Sequence, residues 1–218
     1  MKAKRLLSIL VAGIMVLCIA MPAFAAEDYS MLGIYTNNGY ENEYFNYQLN
    51  LPSGNWTLES RSFFVPVGSD VVTEANKEST LSSLKTTLDL SAATGFEANS
   101  DTDYVSITIE SPGFLNDSWA DEKTIAENTY TSVIEELESA NSEDLSVTQI
   151  ETQVDYLDNF IDGRHYCVGF KCLLNGVPYY GVQIYVRSRD AKYLSVIDIE
   201  SLNPENVEMI ANAFTKLK

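Results

Sequence analysis

From residue 40 onward, apolar and polar positions trade places at short intervals, and the period of that exchange changes along the chain. In "YENEYFNYQLNLPSGNW" (residues 40–56), Tyr44, Asn46 and Gln48, followed by Leu49-Asn50-Leu51, point to two extended pieces. Pro52-Ser53-Gly54 punctuates them ahead of Trp56. Leu81, Leu84 and Leu88 in "STLSSLKTTL" fall at helical spacing, with Ser and Thr weakening the helix they predict. "LDLSAATG" and "DYVSITIES" read as strands, joined by the turn-rich "FEANSDT". A stronger helix follows. Ala126, Tyr130, Val133 and Leu137 form its i, i+4, i+7, i+11 stripe, and Asp121 and Glu122 stand near its start, where acids suit the helix dipole.

The remainder reads mostly as sheet. "SVTQIETQVDYL" is a strand, continuous or interrupted, and Asp162-Gly163 marks a turn. Asn175-Gly176 stands between "HYCVGFKCLL" and "VPYYGVQIYV", a two-residue hairpin signal between β-rich runs. "KYLSVIDIES" adds a further strand. A last helix is expected to be capped by Asn203, with Pro204 at its first helical position and Val207, Ile210, Phe214 and Leu217 as its buried stripe. This order predicts an α+β fold, a largely antiparallel sheet with helices packed on its faces.

The amino terminus predicts an address. "MKAKR" is basic, "LLSILVAGIMVLCIAMP" is apolar, and Ala23-Phe24-Ala25 is a small-x-small cleavage pattern. Residues 1–25 therefore read as a signal peptide, cut before Ala26, with Cys18 in the discarded segment. The alternative is an uncleaved anchor, since the apolar run approaches spanning length. Residues 26–218 form one expected domain, with no low-complexity linker or internal repeat. The chain carries a formal charge of −17, from 14 basic and 31 acidic residues. Removing Lys2, Lys4 and Arg5 with the leader makes it 11 − 31 = −20. Such a surface repels phosphate backbones and anionic polymers, which argues against nucleic-acid binding and against membrane contact beyond the leader.

"HYCVGFKC" (residues 165–172) concentrates the one histidine and two of the three cysteines. Read as a strand, it places Cys167 and Cys172 about 16 Å apart on opposite faces, beyond the ~7 Å reach of a disulfide. His165 and Cys167 share a face but supply only two metal ligands where a structural zinc site takes four. Cys172 has the parity of Tyr166, Val168, Phe170 and Leu174, the expected core side. Two thiols in a strand are the favoured reading, ahead of a bridge or a metal site, and no cofactor is expected.

Other motifs give no catalytic assignment. There is no G-x-S-x-G elbow and no phosphate-binding glycine loop. Asn99, Asp101, Asp103 and Glu110 sit at positions one, three, five and twelve of a calcium-loop spacing, but Tyr104 replaces the turn glycine and a strand follows. An acidic hairpin turn is the plainer reading. Tyr35, Tyr40, Tyr44, Phe45 and Tyr47, and later Tyr179, Tyr180, Tyr185 and Tyr193, suit either core strands or a binding surface. Asn55-Trp56-Thr57 and Asn116-Asp117-Ser118 match the glycosylation pattern.

The stretch "NGYENEYFNYQLNLPSGNW", with the closing "NPENVEMIANAFTKL", resembles PsbP-like domains. That superfamily includes an extrinsic subunit of the oxygen-evolving complex and a Ran-binding import factor; the resemblance is closest to small exported Gram-positive proteins of unknown function. It implies an antiparallel sheet with packed helices and an interaction scaffold rather than an enzyme. Tyr44, Phe45, Leu51, Pro52 and Trp56 take hairpin and core roles under it, and no functional residue carries over. Three functions follow as expectations. The first is an exported, non-enzymatic, monomeric scaffold that binds an extracellular or envelope protein. The second is a glycan or small-ligand module lined by tyrosines. The third is a hydrolase, which requires a cleft holding buried carboxylates, or His165 beside one, with displaced titration.

Overall fold

The computed structural model describes residues 30–59, 62–64, 72–73, 92–110, 119–142 and 144–217. The leader, its cleavage point, the helix expected at Leu81–Leu88 and the sequon at Asn116 lie outside these residues. Among the described residues no helix is long and apolar enough to cross a membrane.

A 3-10 turn at Ser30–Leu32 leads into β1 (Ile34–Thr36), β2 (Gly39–Asn42) and β3 (Tyr47–Asn50), an antiparallel meander. Short β4 (Thr57–Leu58), β5 (Ser62–Phe64) and β6 (Val72–Thr73) precede the longer β7 (Ala92–Asn99) and β8 (Asp103–Glu110). Helix α1 (Glu122–Ser139) is capped by Asp121, whose carboxylate accepts from the Thr124 amide. Then come β9 (Val147–Phe160), β10 (Gly163–Leu174), β11 (Val177–Arg187) and β12 (Leu194–Ser201). Helix α2 (Pro204–Ala211) and β13 (Phe214–Lys216) close the chain. The small sheet runs β1-β2-β3-β13; the large one runs β6-β5-β7-β8-β12-β11-β10-β9, with β4 paired to β7. Every paired strand is antiparallel. One isolated parallel bridge, Ile161 to Thr215, links the end of β9 to β13.

This is a β-rich fold of two antiparallel sheets, with two helices among the described residues, and it corrects the α+β expectation of helices packed on the sheet faces. The cause lies in what covers the large sheet. On one face the small sheet does most of the covering: Tyr40, Tyr47, Leu49 and Phe214 meet Phe96, Ile107, Ile184, Ile197 and Ile199 in one apolar cluster. Each fully buried isoleucine there contributes about 1.5–3 kcal/mol. On the other face α1 buries Ile125, Ala126, Val133 and Leu137 against Val147, Val168, Cys172, Tyr179 and Tyr185.

Local expectations fared unevenly. The α1 stripe is buried at Ala126, Val133 and Leu137, and Tyr130 packs at its margin. Asn175 and Gly176 take φ of 50° and 80° and turn β10 into β11, the two left-handed positions a tight hairpin requires. β9 is continuous, with left-handed backbone at Gln149 and Asn159 near its ends. Tyr44, expected in a strand, lies in the turn before β3 that Asn46 closes at φ 61°. "FEANSDT" is mostly strand, since β7 continues to Asn99 past an irregularity between Thr94 and Phe96. The last helix stops at Ala211; Phe214 is buried instead from β13, where it pairs with Leu49.

Candidate functional site

"HYCVGFKC" is the middle of β10, and its two thiols are buried on opposite faces. Cys167 belongs to the core between the sheets, Cys172 to the core under α1. The strand itself keeps them apart. Burial, helped by the Asp155 charge, pushes the Cys167 thiol up to about 12. Burial and the Glu200 charge push Cys172 up to about 11. Neither is a nucleophile at neutral pH. Both thiols are therefore expected to resist iodoacetamide in the native protein and to react once urea unfolds it, read as two carbamidomethyl groups by mass spectrometry. Rapid native labelling contradicts this placement.

His165 ties three elements together. Its Nδ1 lies 3.0 and 3.2 Å from the two oxygens of Glu122, in the first turn of α1. Glu122 also accepts from the Arg187 amide at 2.9 Å. Asp162 stands 3.7 Å from Nε2. Burial alone would lower the imidazole, but the Glu122 contact and the two acid charges outweigh it and the group is raised. With one acid against each ring nitrogen, His165 works as a clamp on α1.

Beside α1 the large sheet carries a buried polar chain. Gln183 Nε2 donates to Asp198 Oδ1 at 2.8 Å, and Ser106 reaches the other oxygen at 3.5 Å. Tyr185 donates to Gln183 and meets Thr129 of α1 at 2.6 Å. Tyr179 donates to Glu200. Asp198 and Glu200 are 6% and 4% exposed. Burial raises Asp198 to about 6, against hydrogen bonds that lower it. Burial raises Glu200 to about 8, opposed by the Tyr179 bond and aided by the Asp198 charge. Glu110 rises to about 7 through desolvation and the same neighbour. The sequence offered no route to these acids, because the full chain holds 31.

The calcium-loop spacing does not assemble a site. Asp103 accepts from Ser201 at 2.6 Å, Asn206 at 2.9 Å, Thr102 at 3.0 Å and Ser100 at 3.1 Å. Its carboxylate fastens the β7–β8 turn to α2. Glu110 lies seven residues along β8, about 23 Å away. The crowded tyrosines are mainly core: Tyr40, Tyr47, Tyr179 and Tyr185 are at most 1% exposed. Tyr44 is fixed by Asp190 at 2.8 Å and by the edge of the Tyr193 ring.

An open concavity lies elsewhere. A groove of ≈ 600 Å³ runs between the end of β9 and α2, lined by Tyr156, Leu157, Phe160, Ile161, Val207 and Ala211 among others. Asp158 and Glu208 stand in its lining, which among the described residues contains no lysine or arginine. Tyr156 is 43% exposed, but its ring packs against Tyr166 and lies under the Arg164 guanidinium at 4.1 Å, on the α1 face of the sheet rather than over the groove; Met209, on the other side of α2, is 45% exposed. Asn159 and Ile161 hold left-handed backbone at φ 63° and 58° in this lining, a costly conformation for a β-branched residue. None of Asp198, Glu200, Glu110, Glu122 and His165 lines the groove. Little along the chain pointed to it beyond the apolar Phe160-Ile161 pair at a turn, since β9 and α2 are distant in sequence. No family profile matches the chain, and no curated protein does.

Proposed function

We propose that the chain is an exported, non-enzymatic interaction domain that holds an extracellular or envelope protein in the groove between β9 and α2. The observation that carries this is the groove itself: half-buried Leu157, Ile161 and Val207 over a buried floor of Phe160, Ala211 and Phe214, an acidic lining, and left-handed backbone at Ile161. Strain of this kind persists where the surroundings impose it, and it gathers at binding sites. Isolated apolar residues are ordinary on a surface, whereas a concave group of them is a binding feature.

The non-enzymatic part rests on the separation of the groove from the groups with displaced titration. Asp198, Glu200 and His165 are engaged by Gln183, Tyr179 and Glu122 in holding the sheet and α1 together. The ligand-module alternative has less support, because the tyrosines it needs are mostly packed inward. Export rests on the leader pattern of residues 1–25. Kinship with PsbP-like scaffolds belongs to the same proposal, supported by the β2–β3 hairpin, the Pro52–Trp56 turn and the closing α2.

The test is a native mass spectrum of the protein recovered from the medium of its own cells, beside the variant Val207→Ser in the groove lining. The expected result is a chain starting at Ala26 with a second polypeptide bound, lost in the variant while the melting temperature stays within a few degrees. A bound polypeptide that survives the substitution, a bound saccharide or metal ion, or no bound mass overturns the proposal.

A further inference from the structure

The large sheet ends at β9, which has 14 residues and no strand pairing along its outer side among the described residues. Only Ile161, just beyond its end, is bridged by β13. Long free edges attract other strands, and proteins commonly guard them with charge and irregular backbone. β9 carries both guards. Glu151, Asp155 and Asp158 lie along it, and Gln149 and Asn159 depart from extended geometry near its ends.

Between those ends the edge is regular. Val154, Asp155 and Tyr156 pair in unbroken register with Val168, Cys167 and Tyr166 of β10. The Tyr156 amide donates to the Asp155 side chain at 2.8 Å, so it faces away from β10. Antiparallel alternation places the amides of Val154 and Thr152 on that same outer side. The outer groups of Thr152, Val154 and Tyr156 thus form a regular row of about 13 Å, beyond the register shift between Thr148 and Glu151, that leads into the groove at Leu157 and Ile161.

Charge selects the occupant. Around this edge and groove stand Glu151, Asp155, Asp158, Asp162, Glu205 and Glu208; Lys171, Arg164 and Lys216 pair with Glu151, Asp158 and Asp162, which leaves a net charge of 3 − 6 = −3. Two copies of the edge would set Glu151 and Asp155 against the same acids, and like charges across strands repel. A basic strand meets the opposite situation. We infer that the partner segment is an extended, basic chain with alternating apolar residues, which adds as a strand to the outer edge of β9 and seats its apolar side chains in the groove. In this mode main-chain hydrogen bonds hold the segment and alternate side chains select it. The inference rests on the groove being the binding face, and it adds the backbone pairing and the charge of the partner.

The probe is a capped peptide of about ten residues alternating Lys and Val. Its controls are the Glu/Val counterpart and the Lys/Val peptide N-methylated on every second amide. Binding is followed by amide shifts of the protein at physiological salt. The expected result is saturable shifts along Thr152–Ile161 and in α2. N-methylation on the pairing edge is expected to weaken binding by about tenfold or more, as is the double substitution Glu151→Lys, Asp155→Lys. The Glu/Val peptide is expected not to bind. Shifts confined to the groove and indifferent to N-methylation overturn strand addition while leaving the groove as the docking face. Shifts scattered over the acidic surface, or no binding by the Lys/Val peptide, overturn the inference. The native spectrum of the secreted protein judges the groove separately.

Discussion

Raising the pH from about 5 to about 8 is expected to lower the unfolding free energy by about 3–5 kcal/mol, the reverse of ordinary acid denaturation. Asp198, Glu110 and Glu200 titrate in the folded protein near 6, 7 and 8, above their ordinary values of 3.8, 4.5 and 4.5. Below about pH 3 both states are protonated and the three acids cost nothing. As pH rises past their ordinary values, the unfolded chain releases protons that the folded chain keeps, so stability falls. The loss is complete above the highest folded value, near 8. His165 acts in the same direction. Its raised folded value gives stability that is fully present below its ordinary 6.5 and lost as pH rises through the folded value. Asp121 and Asp190 are lowered and run the other way, losing their contribution only in strong acid. Buried Asp198 and Glu200 and half-buried Glu110 share one field, so their shifts do not add, and the figure is well below their sum.

Urea unfolding at a series of pH values measures this. Glu200→Gln keeps an acceptor for Tyr179 and removes the charge. It is expected to raise stability at pH 8 by about 1–3 kcal/mol and to change little at pH 4.5. Stability that climbs from pH 5 to pH 8 contradicts the burial assigned to these groups.

Gly39→Ala is expected to cost about 3 kcal/mol or more. Gly39 begins β2 at φ 153°, and an added Cβ would lie 2.0 Å from the Leu49 carbonyl oxygen and 3.0 Å from its carbon. Both are backbone atoms of the paired strand, so a side-chain rotation gives no relief. Moving β2 away from β3 breaks the Tyr40–Leu49 pairing and draws the buried Tyr40 ring from the core. It also strains the bond from Tyr40 to the Leu32 carbonyl, made at 2.7 Å. Gly163→Ala is the control, because a Cβ there meets nothing within 4 Å. Equal urea midpoints for the two variants would sink the claim that this hairpin is sterically locked.

What the chain disclosed about itself followed the reach of its interactions. Asn175-Gly176, Asp121 with α1, and Asn203-Pro204 with α2 are short-range signals, and each lies where its local chemistry requires. The parity of Cys167 and Cys172 was equally legible, because a strand alternates whatever it packs against. Phe214 shows the limit. Its spacing from Ile210 is helical, yet pairing with Leu49, far earlier in the chain, makes it a strand residue. The fold class failed for the same reason: one face of the large sheet is covered mainly by β1, β2, β3 and β13, brought together from both ends of the chain. Asp198 and Glu200 alternate with isoleucines in "VIDIES" and resemble the wet side of a half-exposed strand. Only the contacts made by Gln183 and Tyr179 show that side to be buried.

The groove is the feature on which the functional reading depends, and photo-crosslinking in the producing cells tests it most directly. Benzoylphenylalanine replaces exposed Glu208 in the groove lining and, separately, exposed Glu138 on α1. Light is expected to join position 208 to one other polypeptide, with no such product from position 138. Identical products from both positions, or a product from 138 alone, would show that the partner binds elsewhere. No polypeptide product at 208 would contradict the groove as a docking face.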